Sequence, residues 1–293
     1  MKYFDRLHPA VAFFYLIAVT AVSMLTMHPI LILISYVASV GFTGMLIGLR
    51  RLLSSLAYSI PTAALIALTN PLFVHRGRTV LFFLNDNPVT LEAILYGVFA
   101  SLMIMSVFHW CRCYTEIMTA DKFVYLFGKI VPKLALVLSM ALAFIPKFRR
   151  RYREIDEAQR GLGIYATRSL SDKLRAKLRV FSILVTWSLE SSVETADSMR
   201  ARGYGLRGRT SAAVYRLSAS DLLFLLFSLA LTAALVVLTA LGVSDFRFYP
   251  TLSTVRTDLP TYLLYTALTL LAGASILTEV KENVLWRILR SRI

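Results

Sequence analysis

The chain has 293 residues, of which 57% are hydrophobic, and a mean hydropathy of +0.65. Soluble domains sit nearer about 45–50% apolar, so this excess, carried in long uncharged runs, excludes an ordinary soluble class and points to the membrane. The formal net charge is +15, and in so oily a chain that balance reads as Lys and Arg on cytoplasmic loops before it reads as nucleic-acid binding.

Six apolar segments, at about 9–27, 29–48, 54–73, 91–111, 221–242 and 259–278, approach the roughly 20 residues that a helix needs to cross a bilayer. The first two are separated only by "MHP" and form a tight hairpin. The first lacks a small-residue cleavage pattern and leads straight into the second, so it is expected to remain a span rather than act as a signal peptide. Pro61 lies inside the third, with Ser59 and Thr62 near enough to occupy backbone groups that the proline frees. Cys111 and Cys113 end the fourth. Residues two apart on a helix do not face each other, so no disulfide is expected between them. With His109 they fall short of a closed four-ligand zinc site, and no metal site is expected.

The basic residues set an orientation. Lys2 and Arg6 precede the first span, Arg50 and Arg51 follow the second, and Lys281, Arg287, Arg290 and Arg292 follow the last. Residues 114–219 hold 19 of the 32 basic residues against 9 acidic ones. Six spans with both termini in the cytoplasm put all four groups inside, as the positive-inside rule asks. The other side keeps only Arg76, Arg78, Arg247 and Arg256. The expected class is therefore an all-α, polytopic integral membrane protein. It divides into four spans (1–113), a cytoplasmic or interfacial insertion of long helices (114–219), and two more spans with a basic tail (220–293).

Within the insertion, "VPKLALVLSMALAFIP" (131–146) runs into "KFRRRYREIDEAQR" (147–160), with Pro132 suited to a helix start. A dip of 131–146 into the membrane remains the alternative. A second helix is expected over 171–202, with Ser171 as N-cap. Its apolar positions (Leu174, Leu178, Phe181, Val185, Leu189, Val193, Ala196 and Met199) recur at three- and four-residue spacing. That stripe is expected to lie on the helix before it. Glu190, Glu194 and Asp197 are placed to pair with Arg149 and Arg150 between the crossing helices, a small effect if the pairs are exposed.

Both helices end alike, in "AQRGLG" (158–163) and "MRARGYG" (199–205). Gly takes the left-handed conformation that closes a helix at little cost, and Arg suits the negative end of the helix dipole. Capping explains one such ending. Two of them, on two helices of one polytopic chain, suggest paired contacts. Arg202 is the leading candidate, flanked by Ala201 and Gly203, because a guanidinium makes forked bonds to carboxylates or carbonyls across an interface.

"ADSMRARGYG" (196–205) resembles the second Ala-Arg-Gly signature of the transmembrane T component of energy-coupling factor (ECF) transporters, the EcfT/CbiQ family. "NPLFVHRGRTVLF", "TLEAILYG", "VPKLALVLSMALAFIPKFRRRYREIDEAQ" and "WSLESSVETADSMRARGYG" resemble other parts of that family, as does "LHPAVAF" near the start. The likeness covers most of residues 5–210. It implies a non-catalytic subunit that couples two cytoplasmic ATP-binding-cassette ATPases to a small membrane-embedded substrate-binding S component, for uptake of a vitamin or metal ion. The two helix ends would dock on the ATPases, which alone would bind ATP and Mg; this chain is expected to bind no cofactor and no nucleic acid. A bacterial or archaeal cell membrane is implied. The first signature departs from the pattern. If "AQR" is aligned, Gly161-Leu162-Gly163 stands where Ala-Arg-Gly would be; if the arginine is aligned, Arg160-Gly161 follows Gln159. Either way the two contacts differ, which fits a non-identical or fused ATPase pair.

Three other classes compete. A conventional ABC permease would show one coupling element rather than two matched ends. A basic membrane scaffold would bring no ATPases with it. A membrane enzyme would need carboxylates or histidines clustered at the membrane face, whereas Glu92 and Asp221 stand apart at span ends. The chain has no Walker A pattern.

Overall fold

The computed structural model describes residues 3–84, 87–128, 130–163, 170–206 and 215–290. Its elements are α1 (Tyr3–Arg6), α2 (Pro9–Leu25), α3 (Pro29–Ile47), α4 (Leu49–Phe73), β1 (Val80–Leu84), β2 (Asn87–Thr90), α5 (Leu91–Ile117), α6 (Ala120–Gly128), α7 (Pro132–Gly161), α8 (Leu170–Ala201), α9 (Ala219–Ala240) and α10 (Leu259–Arg290). They form two compact units. One holds residues 1–119 and 215–293, and the other holds residues 120–214.

The first unit is a bundle of α1–α5, α9 and α10. Five of its helices (α3, α4, α5, α9 and α10) are long and apolar enough to cross a membrane, and α2 is a shorter apolar helix of 17 residues. This is the all-α, multi-pass membrane architecture that the sequence implies. Pro9 and Pro29 open α2 and α3 at the first turn, where a missing N–H costs nothing. Gly48, at φ 83°, separates α3 from α4.

The bundle core is aromatic. Phe4, Tyr15, Phe42 and Trp110 are fully buried. Phe4 meets Phe42 edge-on at 5.2 Å and Tyr15 at 5.7 Å between ring centres, and Phe42 lies 6.0 Å from Trp110. Tyr15 donates through Oη to the Leu271 carbonyl at 2.8 Å, tying α2 to α10. A row of hydroxyls joins α2, α3 and α5: Ser23 Oγ lies 2.6 Å from Ser35 Oγ, which lies 2.8 Å from Ser106 Oγ and accepts from Trp110 Nε1 at 3.2 Å. Interhelical bonds of this kind join membrane helices where water cannot compete. Gly97 lets α4 and α5 approach closely, since a Cβ there would stand 2.4 Å from the Ala67 carbonyl oxygen.

Three local features differ from the sequence expectation. The stretch 74–90 is not only loop: β1 and β2 pair antiparallel, Val80 opposite Thr90 and Leu84 opposite Asn87, as the β-prone run "VLFF" allows. The last helix runs twelve residues past 278, and Arg6 on α1 meets Glu282 on this extension at 3.0 Å. Around Pro61, Thr62 Oγ1 donates to the Tyr58 carbonyl and Ser59 Oγ to the Leu56 carbonyl. They flank the Ala57 carbonyl that the proline frees rather than bonding it.

Candidate functional site: the two ends of the helical hairpin

The second unit consists of α6, α7 and α8. Pro132 opens α7 as expected, and the helix continues without a break through Pro146 to Gly161. The apolar stretch and the charged stretch are thus one rod of 30 residues. The second rod begins at Leu170, one residue before Ser171, so Ser171 lies inside its first turn and the N-cap position falls outside the described residues.

The rods meet at Phe148 and Trp187, whose rings stand edge-on with centres 5.7 Å apart, and Arg151 lies over the Trp187 ring at 5.7 Å. Ile155 on α7 and Ala176 and Val180 on α8 are buried. The seven residues from Phe148 on to Ile155 match the seven from Trp187 back to Val180, as an antiparallel pair requires. Phe148 stands thirteen residues before the end of α7, and Trp187 fourteen before the end of α8. At about 1.5 Å per residue, each rod therefore carries an arm of roughly 20 Å from the crossing to its C-terminus.

The expected packing face of α8 is corrected here. Leu174, Leu178, Phe181, Val185, Leu189 and Val193 are exposed. The inward side instead carries Ala176, Val180, Leu184, Trp187, Ser188, Ser191 and Thr195, all buried or half-buried. Small residues let helices approach closely, so they won the contact with α7 and the bulkier stripe was left outside.

The expected charge pairs between the helices are also absent among the described residues. Arg150 Nε bonds Glu154 at 3.0 Å and Arg151 bonds the same carboxylate at 3.0 Å. Hydrogen bonds from Arg151 and then Arg150 hold the Glu154 carboxyl below the usual carboxylate range. One turn of the same helix thus offers a nearer partner than α8 does. Arg149, Glu190, Glu194 and Asp197 are exposed and make no ion pair among the described residues.

Both helix ends close on a glycine of positive φ whose N–H bonds the carbonyl three residues back; on α7 the next N–H lies outside the described residues. On α8, Gly203 sits at φ 80°, with its N–H on the Arg200 carbonyl at 3.0 Å and the Tyr204 N–H on the Met199 carbonyl at 3.0 Å. This pair of bonds is the Schellman closure, with Arg202 as C-cap residue. On α7, Gly163 sits at φ 72°, with its N–H on the Arg160 carbonyl at 3.0 Å, and Leu162 is the C-cap residue. The caps fix a register that sequence left open. Gly163 matches Gly203, Leu162 matches Arg202, Gly161 matches Ala201, and Arg160 matches Arg200. Glu157 and Glu154 then match Asp197 and Glu194.

The matched positions differ in chemistry. Leu162 is 72% exposed, and Gly161, Gly163, Ala201 and Arg202 are also exposed, while Gly203 is half-buried. Arg160 bonds Asp156 one turn back at 2.9 Å, whereas Arg202 makes no ion pair among the described residues. Gln159 is half-buried, and its Oε1 is buried without a hydrogen-bond partner. So one end presents an uncommitted guanidinium and the other an isobutyl group, at matched positions. The crossing residues Phe148, Arg151 and Trp187 went unnamed in the sequence reading; an aromatic on each rod fifteen or sixteen residues before its glycine cap was the available signal.

A multi-pass helical membrane unit, with a second unit that is a hairpin of long rods ending in glycine caps, defines a polytopic helical membrane protein. The cobalt transport protein family CbiQ matches residues 4–212, covering the apolar helices α2–α5 and both rods, and the chain belongs to that family. It is similar to the energy-coupling factor transporter transmembrane protein EcfT 1 of Listeria monocytogenes, 29% identical over 174 residues, which is 55% of this chain and 65% of that protein. It is also similar to EcfT of Lactobacillus helveticus, 32% identical over 109 residues, 36% of this chain and 39% of that protein. The matches therefore span less than two thirds of either relative's length.

Proposed function

We propose that this chain is the coupling subunit of an ECF-type importer. The bundle sits in the cell membrane with both termini in the cytoplasm, and the two rods lie on the cytoplasmic side. Their capped ends stand on two ATP-binding-cassette ATPases, which bind ATP and Mg and carry out the hydrolysis; this chain catalyses nothing. The exposed stripe of α8 receives the S component, which selects the vitamin or metal ion. The basic insertion supports this orientation. The exposed stripe supports a docked partner, because large apolar patches at a surface mark interaction sites.

The observation that carries the reading is the pair of glycine closures. Two rigid rods, each with an arm of roughly 20 Å beyond one crossing, both close on a glycine of positive φ. Movement of the ATPases applied to both ends would turn the rods about Phe148 and Trp187. The exchange of Arg202 for Leu162 between matched positions further supports two unlike ATPase faces. One would offer acceptors for a guanidinium, the other an apolar pocket.

Arg202→Glu tests this. It should leave insertion and expression at parental levels, since the residue is exposed and makes no ion pair among the described residues. Uptake by the assembled transporter should fall about a hundredfold, the scale of losing a charged anchor and meeting like charge instead. Normal uptake by that variant would remove Arg202 from the coupling contact, and purification with no ATPase at all would favour a scaffold.

A further inference from the structure

Ahead of its capped end, α7 carries a second feature that the coupling reading leaves unused. Arg149, Arg150 and Arg153 line an open cavity of about 440 Å³ with Pro146, Glu154 and Glu157. These positions share one face of the helix, since residues three and four apart stack above one another. The run from Lys147 to Arg153 holds five cations and no acid. Arg150 and Arg151 are committed to Glu154, but among the described residues Arg149 and Arg153 pair with no carboxylate. Two free guanidinium forks one turn apart match the oxygens of a phosphate.

The rest of α7 says where that phosphate comes from. From Pro132 to Pro146 the helix is apolar apart from Lys133 and Ser139, and Leu134, Val137, Leu138 and Ile145 are exposed. Fifteen residues span roughly 22 Å, too short for the roughly 30 Å hydrocarbon core but long enough to reach from within one leaflet to its surface. Aromatic rings sit where that surface would fall: Lys147 stands over the Phe144 ring at 5.4 Å, and Phe148 meets Trp187. An apolar stretch, then aromatics, then a basic band is the order in which a helix leaves a bilayer.

We propose that Arg149 and Arg153 bind the phosphate of an anionic phospholipid at the cytoplasmic surface, fixing how deep α7 sits. The headgroup occupies the cavity beside Pro146, and its acyl chains run along Val137, Leu138 and Ile145. Glu157, at the far end of the cavity, excludes a second anion. The site lies on a different part of α7 from the helix end; its cytoplasmic placement rests on the reading above, while binding of the lipid does not need the ATPases.

Native mass spectrometry of the full chain in detergent, titrated with phosphatidylglycerol or with phosphatidylcholine of the same acyl chains, tests the site. The parent chain should retain phosphatidylglycerol in preference. Arg149→Gln with Arg153→Gln should weaken that lipid about fivefold per arginine removed and leave phosphatidylcholine unchanged. Arg149→Lys with Arg153→Lys, which keeps the charge but not the fork, should fall between. A parent chain that does not distinguish the two lipids overturns the proposal, as does a glutamine variant that retains phosphatidylglycerol like the parent. A variant that keeps its lipid but loses a co-purifying protein also overturns it and assigns the band to an acidic protein surface.

Discussion

In the bundle, Phe4, Tyr15, Phe42 and Trp110 are fully buried against one another, whereas in the hairpin unit Leu174, Leu178, Phe181, Leu189 and Val193 are each more than half exposed. The bundle also has apolar surface, such as Val37 and Leu65, but its long helices put that surface against lipid. Among the described residues neither rod is long and apolar enough throughout to cross a membrane, and the large apolar side chains of α8 still face outward. The difference teaches that the bundle buries its largest side chains within one chain, while the hairpin leaves its own exposed, as the proposed docking of a partner requires.

The largest effect should come from breaking the finished side. Trp110→Ala removes a fully buried ring and its bond to Ser35, and should cost about 3–5 kcal/mol. A drop in the melting temperature of the detergent-solubilised chain, with loss of monodisperse protein, would show it. A parental melting curve would mean that the aromatic core does not hold the bundle.

On the hairpin the same kind of change should spare the fold. Leu178→Glu with Phe181→Glu should leave helix content and melting unchanged, because both side chains are already exposed. Recovery of the membrane partner should fall about tenfold or more, as when an interface anchor is lost. A large loss of stability instead would make the stripe part of this chain's own core.

The smallest effect lies at the crossing. Trp187→Ala removes one edge-on ring contact and the Arg151 stacking, worth about 0.5–1.5 kcal/mol each. It should lower transport per ATP hydrolysed without abolishing assembly, since the rods would turn less stiffly about each other. Unchanged coupling would place the stiff point elsewhere on the pair.

Much of this contrast was legible in the sequence. The spans could be read because roughly 20 apolar residues in a row have few other uses, and the helix ends because glycine marks a left-handed closure. The inward face of α8 was not legible. Periodicity identifies an apolar stripe but not what covers it, and here Ala176, Ser188 and Ser191 packed closer than Leu178 or Phe181 could. The charge partners were missed for a similar reason: Glu154, within one turn of Arg150 and Arg151, outcompeted the carboxylates of α8. The β1–β2 pair was hidden by treating the connection 74–90 as a featureless loop. The alignment of the two helix ends needed backbone angles, since "AQRGLG" can be slid by two residues without changing its composition.

The central claim is that Leu162 and Arg202 occupy equivalent ends of one lever pair and touch different ATPase surfaces. Photo-reactive residues placed singly at 162 and at 202 in the intact complex test it most directly. The account predicts that both label ATPase chains, each from its own rod, and that 202 labels the more polar site. Labelling of lipid from either position, or reaction of position 202 with a probe applied outside the cell, would contradict it.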